Sequence, residues 1–319
     1  MTAWRPSSQP DAARRRADLL ERARTYFAGQ DVLAVDTPAL GRFAGSDPHI
    51  ESLSVRSVSA TGYFLHTSPE SCMKRLLAAG YPDIYSICRV YRDGETGKQH
   101  LAEFTMIEWY RLGFDLAAII SDATTCIATC LEMPALMDKV VTLEYCDAFM
   151  TYAGVEIASA RSEELAECVA ADDDLRERIG DDRDTWLDLI LGTIVAPRLP
   201  PTCLTVLQHY PASKAALARL CPDDNKVADR FEIFFGAMEL ANGYVELRDA
   251  EEQRHRFEQD QEVRRSAGQS VQALDFLLLQ ALESGLPDCA GVAIGVERLQ
   301  MLHDRTENIR DVVTFDDLI

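Results

Sequence analysis

The chain has 319 residues, of which 47% are hydrophobic and 26% charged, as in an ordinary globular protein that needs no disulfide or metal to stabilise its core. Its 52 acidic residues exceed its 32 basic residues, and the formal net charge at pH 7 is -20. This charge disfavours a protein that holds nucleic acid mainly through phosphate groups. We therefore expect no nucleic-acid partner.

The nine cysteines are odd in number and lack the Cys-x-x-Cys spacing. They therefore predict neither a disulfide framework nor a zinc site. Residues 1–10 are polar and lack the pattern of a signal peptide, and no apolar run reaches the length of a membrane-spanning helix. We expect a cytoplasmic protein with reduced thiols and no membrane partner.

The first elements in chain order are a helix, a short strand and a hairpin. Asp11 is positioned to cap a helix over residues 11–28, and a strand is predicted at 32–35. A hairpin with its turn near Thr61-Gly62 is predicted for residues 50–66. A serine followed by a proline is typical of a helix start, so Ser68 and Pro69 predict a helix that runs to Gly80.

The remaining patterns group strands with strands and helices with helices. We predict helices over 115–132, 162–179, 183–196, 249–265, 271–284 and 296–303, and strands over 85–92, 104–112, 204–210, 231–235, 238–247 and 291–295. This grouping favours an α+β fold in which an antiparallel sheet is flanked by helices. We expect one domain over residues 1–319, with a helical insertion at about 115–200.

The first segment with chemical potential joins the strands 85–92 and 104–112 through a polar loop. Arg92 stands where the loop begins, and an arginine there can bind a phosphate with two hydrogen bonds. Phe104 can stack on a nucleotide base. The competing interpretation is a surface hairpin in which Arg92 forms a salt bridge.

The second segment places three carboxylates along an apolar strand pair. Glu232, Glu239 and Glu246 are evenly spaced in the sequence between residues 231 and 246. Carboxylates in such surroundings are costly unless they are paired or bind cations. Two of them can hold Mg²⁺ and the third an ammonium group. The competing interpretation is a half-exposed sheet whose acidic residues face water.

The third segment is a glycine-rich turn from a strand into a helix. Gly291 and Gly295 allow the backbone to approach a ligand closely, and Arg298 falls in the first turn of the following helix. Alone, the segment is weak evidence, because a tight turn followed by a surface arginine is common.

Taken in this order, the segments resemble motifs 2 and 3 of the class II aminoacyl-tRNA synthetases with the acidic strand pair between them, and residues 32–38 resemble motif 1. Residues 67–70, 103–110 and 239–246 are most similar to the lysine branch. Within that branch the chain resembles the elongation factor P–lysine ligase family from about residue 12 to its end. The resemblance implies a class II synthetase catalytic fold, a homodimer and no N-terminal OB anticodon-binding domain.

The resemblance implies an ATP-dependent ligase that uses Mg²⁺. It would activate lysine or (R)-β-lysine as an aminoacyl-adenylate and transfer it to a lysine side chain of elongation factor P, with no tRNA partner. Two alternatives stay open: the same chemistry on another acceptor, either tRNA or a small amine, and a non-catalytic amino-acid-sensing paralogue. The presence of Arg92, Arg298 and the carboxylates disfavours the sensor.

The resemblance also assigns roles to individual residues. Arg92 and Arg298 are the expected catalytic residues. The expected ATP-binding residues are Arg92, Glu95, His100, Phe104, Glu239, Leu240, Gly295 and Arg298, and the expected Mg²⁺ ligands are Glu232 and Glu239. The expected substrate-binding residues are Ser68, Glu70, Glu108, Tyr110, Asn242, Tyr244, Glu246 and Ala293. Among these, Ser68 and Glu70 would bind the α-amino side, while Tyr110 and Glu246 would bind the side-chain ammonium.

Three positions depart from relatives of the lysine branch. Gly94 precedes Glu95 in the loop after Arg92, so the acidic ATP contact falls to Glu95. Leu101 stands where relatives carry an asparagine that contacts ATP, and Ala293 stands where lysyl-tRNA synthetases usually have glycine. The first two departures concern the ATP contacts and the third concerns the substrate pocket.

Overall fold

The secondary structure follows the hydrophobic patterning of the chain. A computed structural model describes residues 4–56 and 62–316. Its helices are α1 (Pro10–Gly29), α2 (Glu70–Ala78), α3 (Leu116–Cys130), α4 (Tyr145–Ala153), α5 (Ser162–Cys168), α6 (Asp173–Ile179), α7 (Arg183–Ile190), α8 (Ala250–Ser266), α9 (Phe276–Gly285) and α10 (Val296–Asp304). Its strands are β1 (Leu33–Ala34), β2 (Leu40–Gly41), β3 (Ser54–Val55), β4 (Tyr63–Leu65), β5 (Ile84–Tyr91), β6 (Glu103–Leu112), β7 (Val141–Glu144), β8 (Leu204–Pro211), β9 (Val227–Phe235), β10 (Met238–Val245) and β11 (Cys289–Gly295).

The central feature is an eight-stranded sheet in the order β1-β5-β6-β11-β10-β9-β8-β7. The outermost pairs, β1 with β5 and β7 with β8, are parallel, and the pairs between them are antiparallel. The strands β2, β4 and β3 form a second, small sheet. The α+β prediction is therefore confirmed, and the sheet is mixed only at its two edges.

One face of the large sheet carries the main hydrophobic core. Leu19, Ala23 and Phe27 recur every four residues on α1 and are fully or almost fully buried against the sheet. The Phe27 ring stacks on Tyr85 with a centroid distance of 4.3 Å and meets the edge of Trp109 at 5.2 Å. Helices α3 and α10 complete this layer.

The opposite face is covered by α2, α8 and α9 at one end only. Met73 and Leu77 of α2 pack with Leu278 and Leu279 of α9, and the aromatic ring of Tyr110 on β6 belongs to the same cluster. Because this second layer is partial, the rest of the sheet face is open to a cavity, described below. The fold thus separates a dry core face from a face on which polar side chains can meet a ligand.

Most element predictions are confirmed within a few residues, and three are wrong in detail. The cap of α1 is Gln9 rather than Asp11, which lies in the first turn. The helix predicted over 162–179 is broken into α5 and α6, and α9 begins at Phe276 rather than at 271. Strand β7 and helix α4 were not predicted. The predicted turn residue Thr61 lies outside the described residues.

The range 115–200 is not uniformly helical. Helix α3 packs in the main core and β7 is an edge strand of the large sheet, so neither is separate from the body of the domain. Helices α4 to α7 form a cluster of their own, centred on Tyr145, Phe149 and Trp186. This cluster packs against the sheet through Leu207 and Tyr210 of β8. No helix within residues 4–56 and 62–316 combines the length and apolarity that crossing a membrane requires.

Candidate functional site

The register of four neighbouring strands aligns two rows of side chains on the open face of the sheet. Residues directly opposite each other in a sheet point to the same side, and so do residues two apart on one strand. The first row across β6, β11, β10 and β9 is Glu108, Ala293, Asn242 and Glu232. The second row is Tyr110, Gly291, Tyr244 and Arg230. Six predicted substrate or metal residues therefore share one surface with Arg230 and Gly291.

A β-bulge at Leu240 adds Glu239 to this surface. Glu246 follows Glu239 by seven positions, and a regular strand places residues an odd number of positions apart on opposite faces. The register of pairing with β9 shifts between Glu239 and Ala241, and the extra residue turns Glu239 to the same face as Glu246. Leu240 and Ala241 both point into the core on the other side. Glu239 lies opposite Phe234, two residues along β9 from Glu232.

A cavity of about 750 Å³ lies over the two rows. It is lined by every predicted substrate residue, namely Ser68, Glu70, Glu108, Tyr110, Asn242, Tyr244, Glu246 and Ala293. Arg92 lines the same cavity, which therefore extends from the carboxylates to the loop after β5. The structure thus brings the predicted substrate residues together with one of the two predicted catalytic arginines.

Hydrogen bonds hold two of the cavity carboxylates in fixed orientations. Glu108 accepts from the hydroxyl of Tyr110 at 2.8 Å and from the hydroxyl of Ser68 at 2.7 Å. Ser68 Oγ in turn accepts from the backbone N–H of Glu70 at 2.9 Å, which positions the start of α2. The hydroxyl of Tyr244 donates to both carboxylate oxygens of Glu70 at 2.9 Å. These side chains are therefore preorganised before a ligand binds.

A buried lysine connects the helix α2 to the sheet. Lys74 Nζ lies 2.6 Å from Glu70 Oε1 and 2.5 Å from Glu246 Oε2, and its side chain is 2% exposed. It also lies 5.6 Å from the centre of the Tyr244 ring. The sequence carried a signal for the first contact, since Lys74 follows Glu70 by four residues on a predicted helix. The contact with Glu246 joins segments 172 residues apart, which no local pattern reveals.

The buried carboxylates hold their protons more tightly than usual. Burial raises the pKa of Glu246 to about 8, with Glu70 adding to this effect and Lys74 opposing it. Burial and the charge of Glu70 raise the pKa of Glu108 to about 7. Burial disfavours the ammonium of Lys74, but Glu246 and Glu70 outweigh it, so the pKa of Lys74 is raised. Glu70, Glu108 and Glu246 therefore carry more negative charge, when ionised, than the ammonium of Lys74 neutralises.

The loop after β5 supplies the groups expected at a nucleotide. The Arg92 guanidinium lies over the Phe104 ring at 5.1 Å, and its Nη1 is 3.5 Å from Glu95 Oε1. The Nε of Arg92 is buried and has no hydrogen-bond partner among the described residues. An unpaired buried N–H is costly. An incoming phosphate oxygen would satisfy it.

The second predicted catalytic arginine lies in the first turn of α10, as expected. Arg298 Nη1 donates to the backbone oxygen of Glu239 at 3.0 Å and lies 3.2 Å from its Oε2. Its Nη2 is 2.8 Å from the Nε2 of His100. Burial and the neighbouring Arg298 lower the pKa of His100. A neutral His100 is suited to accept this hydrogen bond and so to orient the arginine.

The two predicted Mg²⁺ ligands are each paired with an arginine. Arg230 donates to Glu232 at 2.8 Å and Arg298 contacts Glu239. Burial and the nearby charge of Glu239 raise the pKa of Glu232 to about 7. Two carboxylates that repel each other across neighbouring strands form an oxygen donor set of the kind Mg²⁺ prefers.

Two predicted ATP contacts depend on the backbone alone. The Leu240 side chain is 2% exposed and packs in the core, so its side chain cannot reach a nucleotide. Gly295 has no side chain and forms the cap of α10. The sequence analysis did not predict roles for Lys74 or Arg230. Arg230 is two residues from Glu232 on one strand, which is the spacing of side chains on one face.

A second group of potential ligands lies apart from this cavity. His209, Cys221 and Asp229 approach one another closely enough to surround an ion, although their sequence spacing gave no sign of it. Asp229 accepts from Arg219 at 2.7 Å, and His209 Nδ1 lies 2.7 Å from Glu144 Oε2. His209 and Asp229 thus already have partners within the protein, and no role is assigned to the group.

Comparison with known proteins gives a consistent result over almost the whole chain. Residues 2–318 match the family described as tRNA synthetases class II (D, K and N). Similar curated proteins, all named elongation factor P–(R)-β-lysine ligase, come from Edwardsiella ictaluri, Erwinia tasmaniensis and Avibacterium paragallinarum. Their identities to this chain are 41%, 40% and 37%, over 99%, 98% and 98% of this chain and 98%, 97% and 97% of the relatives.

The close packing around Gly291 gives a test of the cavity geometry. A Cβ at this position would meet Tyr110 Cε1 at 2.5 Å and Glu246 Oε1 at 2.6 Å. We expect Gly291→Ala to lower the free energy of unfolding by about 1–3 kcal/mol through overpacking, as measured by urea denaturation. Gly295→Ala is the matched control, because a Cβ there meets nothing within 4 Å. Equal stabilities of the two variants would show that the space beside Glu246 is not closed.

Proposed function

The chain belongs to the elongation factor P–(R)-β-lysine ligases within the class II tRNA synthetases, and we propose that it activates a lysine-type amino acid with ATP and transfers it to a lysine side chain of elongation factor P. The family establishes that the chain is a ligase. The proposal adds the aminoacyl-adenylate intermediate, the residues of each subsite and the choice of (R)-β-lysine or lysine as the substrate.

The observation that best supports this proposal is the set of charged residues that line the cavity. Glu70, Glu108 and Glu246 line it on one side, and Arg92 lines it at the loop after β5. An amino acid with two ammonium groups and one carboxylate matches this distribution of charge. Its ammonium groups would lie near the glutamates, and its carboxylate would then face Arg92, where a phosphate also binds.

The activation step requires no protein nucleophile. A carboxylate oxygen of the amino acid attacks the α-phosphorus of ATP, an acyl–phosphate bond forms, and pyrophosphate leaves. Arg92, with its unpaired Nε, would bind the α-phosphate and stabilise the negative charge that develops on it. Arg298, oriented by His100 and Glu239, would bind the γ-phosphate end. Phe104 would stack on the adenine with Arg298 on its other face, and Arg92 approaches the same ring.

Enzymes with a class II synthetase domain generally use Mg²⁺ with ATP. Glu232 and Glu239 are the residues that would hold the ion here, because they lie on the same face of neighbouring strands and the charge of Glu239 raises the pKa of Glu232. Bound Mg²⁺ would supply positive charge to the phosphates. Arg230 and Arg298 pair with these carboxylates and limit the repulsion between them.

The transfer step forms an amide bond. The neutral ε-amine of the acceptor lysine attacks the carbonyl carbon of the adenylate, the acyl–oxygen bond breaks, AMP leaves, and the amine loses one proton. The cavity continues past the glutamates to Asp47 and Asp260. Burial and the charge of Asp47 raise the pKa of Asp260 to about 7. These carboxylates favour the approach of a cationic side chain over that of a phosphodiester backbone.

The proposal extends to assembly and location. The strand β1 resembles the dimer-forming motif of class II enzymes, and Leu33 and Leu40 are 45% and 46% exposed beside it. A second copy of this chain that packs there would bury both leucines. The proposed reaction consumes ATP and modifies a translation factor, so the proposal includes a cytoplasmic location.

The decisive experiment incubates the protein with ATP, Mg²⁺ and elongation factor P in the presence of (R)-β-lysine or of α-lysine. Intact-mass spectrometry then measures whether elongation factor P gains the mass of one lysyl unit, and a parallel reaction contains lysine tRNA instead. A gain on the protein acceptor alone supports the proposal, and the isomer that reacts faster identifies the substrate. Charging of tRNA without modification of elongation factor P would contradict the proposed acceptor.

Glu246 gives a prediction for the amino-acid subsite. Glu246→Gln removes the charge that would bind the substrate ammonium, so we expect the KM for the amino acid to rise about 100-fold in ATP–pyrophosphate exchange. The KM for ATP should stay within about 2-fold, because Glu246 is remote in the sheet from Arg92 and Arg298. Glu163→Gln, on the exposed surface of α5, is the control. An equal loss of both affinities would contradict the assigned role.

The raised pKa values predict a pH dependence. Glu108 and Glu246, with pKa values of about 7 and about 8, are increasingly protonated below those values and then bind an ammonium group poorly. The KM for the amino acid should therefore fall about tenfold between pH 6.5 and pH 8.5, while lysine ammonium groups remain charged. The KM for ATP is measured alongside and is not expected to be constant, because Glu232, a proposed Mg²⁺ ligand, also has a pKa of about 7. A flat amino-acid profile over this range would contradict the prediction.

A further inference from the structure

We propose that Lys74 is a positioning residue that sets the charge of the amino-acid pocket and thereby selects substrates with two ammonium groups. The inference rests on the proposed function, because it concerns the same pocket. It adds a residue that does not react and that the sequence analysis did not place in the site. It also explains how three glutamates can be buried around one small ligand.

The position of Lys74 between two elements is the first observation. Its side chain extends from α2, and its ammonium lies between Glu70 on the same helix and Glu246 at the end of β10. The side chain is 2% exposed, so water screens neither contact. A lysine buried to this extent must remain paired, since an isolated ammonium in such a site is strongly unfavourable. Lys74 therefore fixes α2 against the sheet at the point where the pocket closes.

The charge balance of the pocket is the second observation. Glu70, Glu108 and Glu246 contribute three negative charges when ionised, and Lys74 contributes one positive charge. Three further cations line the cavity but pair with other carboxylates, namely Lys214 with Asp188, Arg230 with Glu232 and Arg256 with Glu252. The sum, -3 + 1, leaves -2, which two substrate ammonium groups would neutralise. A substrate with a single ammonium group would leave one buried carboxylate without a cation. Rejection of monoamino acids thus follows from the cost of an unpaired buried charge.

The third observation is that the two carboxylate oxygens of Glu246 have different neighbours. Oε2 lies 2.5 Å from the ammonium of Lys74, and neither oxygen of Glu246 has a hydrogen bond of normal geometry among the described residues. Oε1 borders the space beside Gly291, where an added Cβ would lie only 2.6 Å away. By holding one oxygen, Lys74 turns the other towards the space that a substrate ammonium can enter. Lys74 therefore orients the carboxylate as well as neutralising part of its charge.

The other ionisable groups near Lys74 and Glu246 do not supply a substitute cation. Glu108, Tyr110 and Tyr244 face the carboxylates from β6 and β10, and Cys289 faces them from β11. Arg248 influences Cys289 but is half exposed and pairs with Asp288. Removal of Lys74 would therefore leave the three glutamates to retain protons until a higher pH.

The test compares Lys74→Met with Lys74→Arg in amino-acid-dependent ATP–pyrophosphate exchange between pH 6.5 and pH 9. We expect Lys74→Met to raise the KM for lysine or β-lysine about 10- to 100-fold while the KM for ATP changes less than about 2-fold. The pH at which the amino-acid KM improves should move up by about one unit. Lys74→Arg retains the charge and should recover part of the affinity.

Lys139→Met, an exposed change on a surface segment, is the matched control, and thermal unfolding of each variant monitors folding. A Lys74→Met variant with unchanged amino-acid KM and pH profile would overturn the proposal. So would equal losses for ATP and amino acid, or an arginine variant as impaired as the methionine variant at equal thermal stability.

A separate binding measurement distinguishes this inference from the proposed reaction. If the wild-type protein shows no exchange with either isomer, the proposed function fails, and calorimetry with 1,5-diaminopentane then tests Lys74 directly. Wild-type protein should bind the diamine at least about tenfold more tightly than n-pentylamine, and Lys74→Met should lose most of that difference. Equal binding of the two amines by the wild type would overturn the charge-matching role.

Discussion

The constraint on which the site depends is the close approach of three carboxylates, two of them buried on the sheet and the third, Glu70, partly buried on α2. Glu70, Glu108 and Glu246 come from α2, β6 and the end of β10, and each would be expensive without a partner. Lys74, Ser68 and the tyrosine hydroxyls meet this cost in part. The part of the burial cost that these groups do not offset raises the pKa values of Glu108 and Glu246. The protein groups of the pocket alone thus leave its charge unbalanced, and a cationic ligand would stabilise it.

The sheet brings these charges together through register rather than through sequence proximity. Pairing of β6, β11, β10 and β9 aligns Glu108 with Ala293, Asn242 and Glu232 across four strands. Gly291 sits in the next row because Tyr110 and Glu246 occupy the volume of any side chain there. The bulge at Leu240 places Glu239, near the start of β10, on the same face as Glu246, which directly follows the strand. In the proposed reaction, one strand would therefore serve the phosphate end and the ammonium end of the ligands.

Much of this organisation was predictable from the sequence, and the exceptions have physical reasons. Alternating hydrophobic patterns located the six central strands. The grouping of strands with strands and helices with helices predicted the α+β fold. The eight substrate candidates that the resemblance named all line one cavity. The bulge was not predictable, because an even spacing of glutamates says nothing about a local change of parity. Lys74 was missed because an i,i+4 pair on a helix usually lies at the surface, whereas its second partner is brought near only by tertiary packing. The Leu240 side chain packs in the core, so its predicted ATP contact stays a prediction that concerns the backbone alone.

The charge of the whole molecule and the charge of the pocket act in the same direction. A net charge of -20 creates a negative potential that attracts cations from a distance and repels phosphodiester chains. Within the cavity the low dielectric strengthens electrostatic interactions, and the two arginines proposed to bind phosphates belong to the β5 loop and to α10. The other cations that line the cavity, Lys214, Arg230 and Arg256, pair with Asp188, Glu232 and Glu252. In the proposed reaction, ATP would therefore meet positive charge at the end with Arg92, while an amino acid or an acceptor lysine would meet the carboxylates of Glu70, Glu108 and Glu246. This arrangement would let an acidic protein bind a triphosphate and still favour a cationic acceptor over nucleic acid.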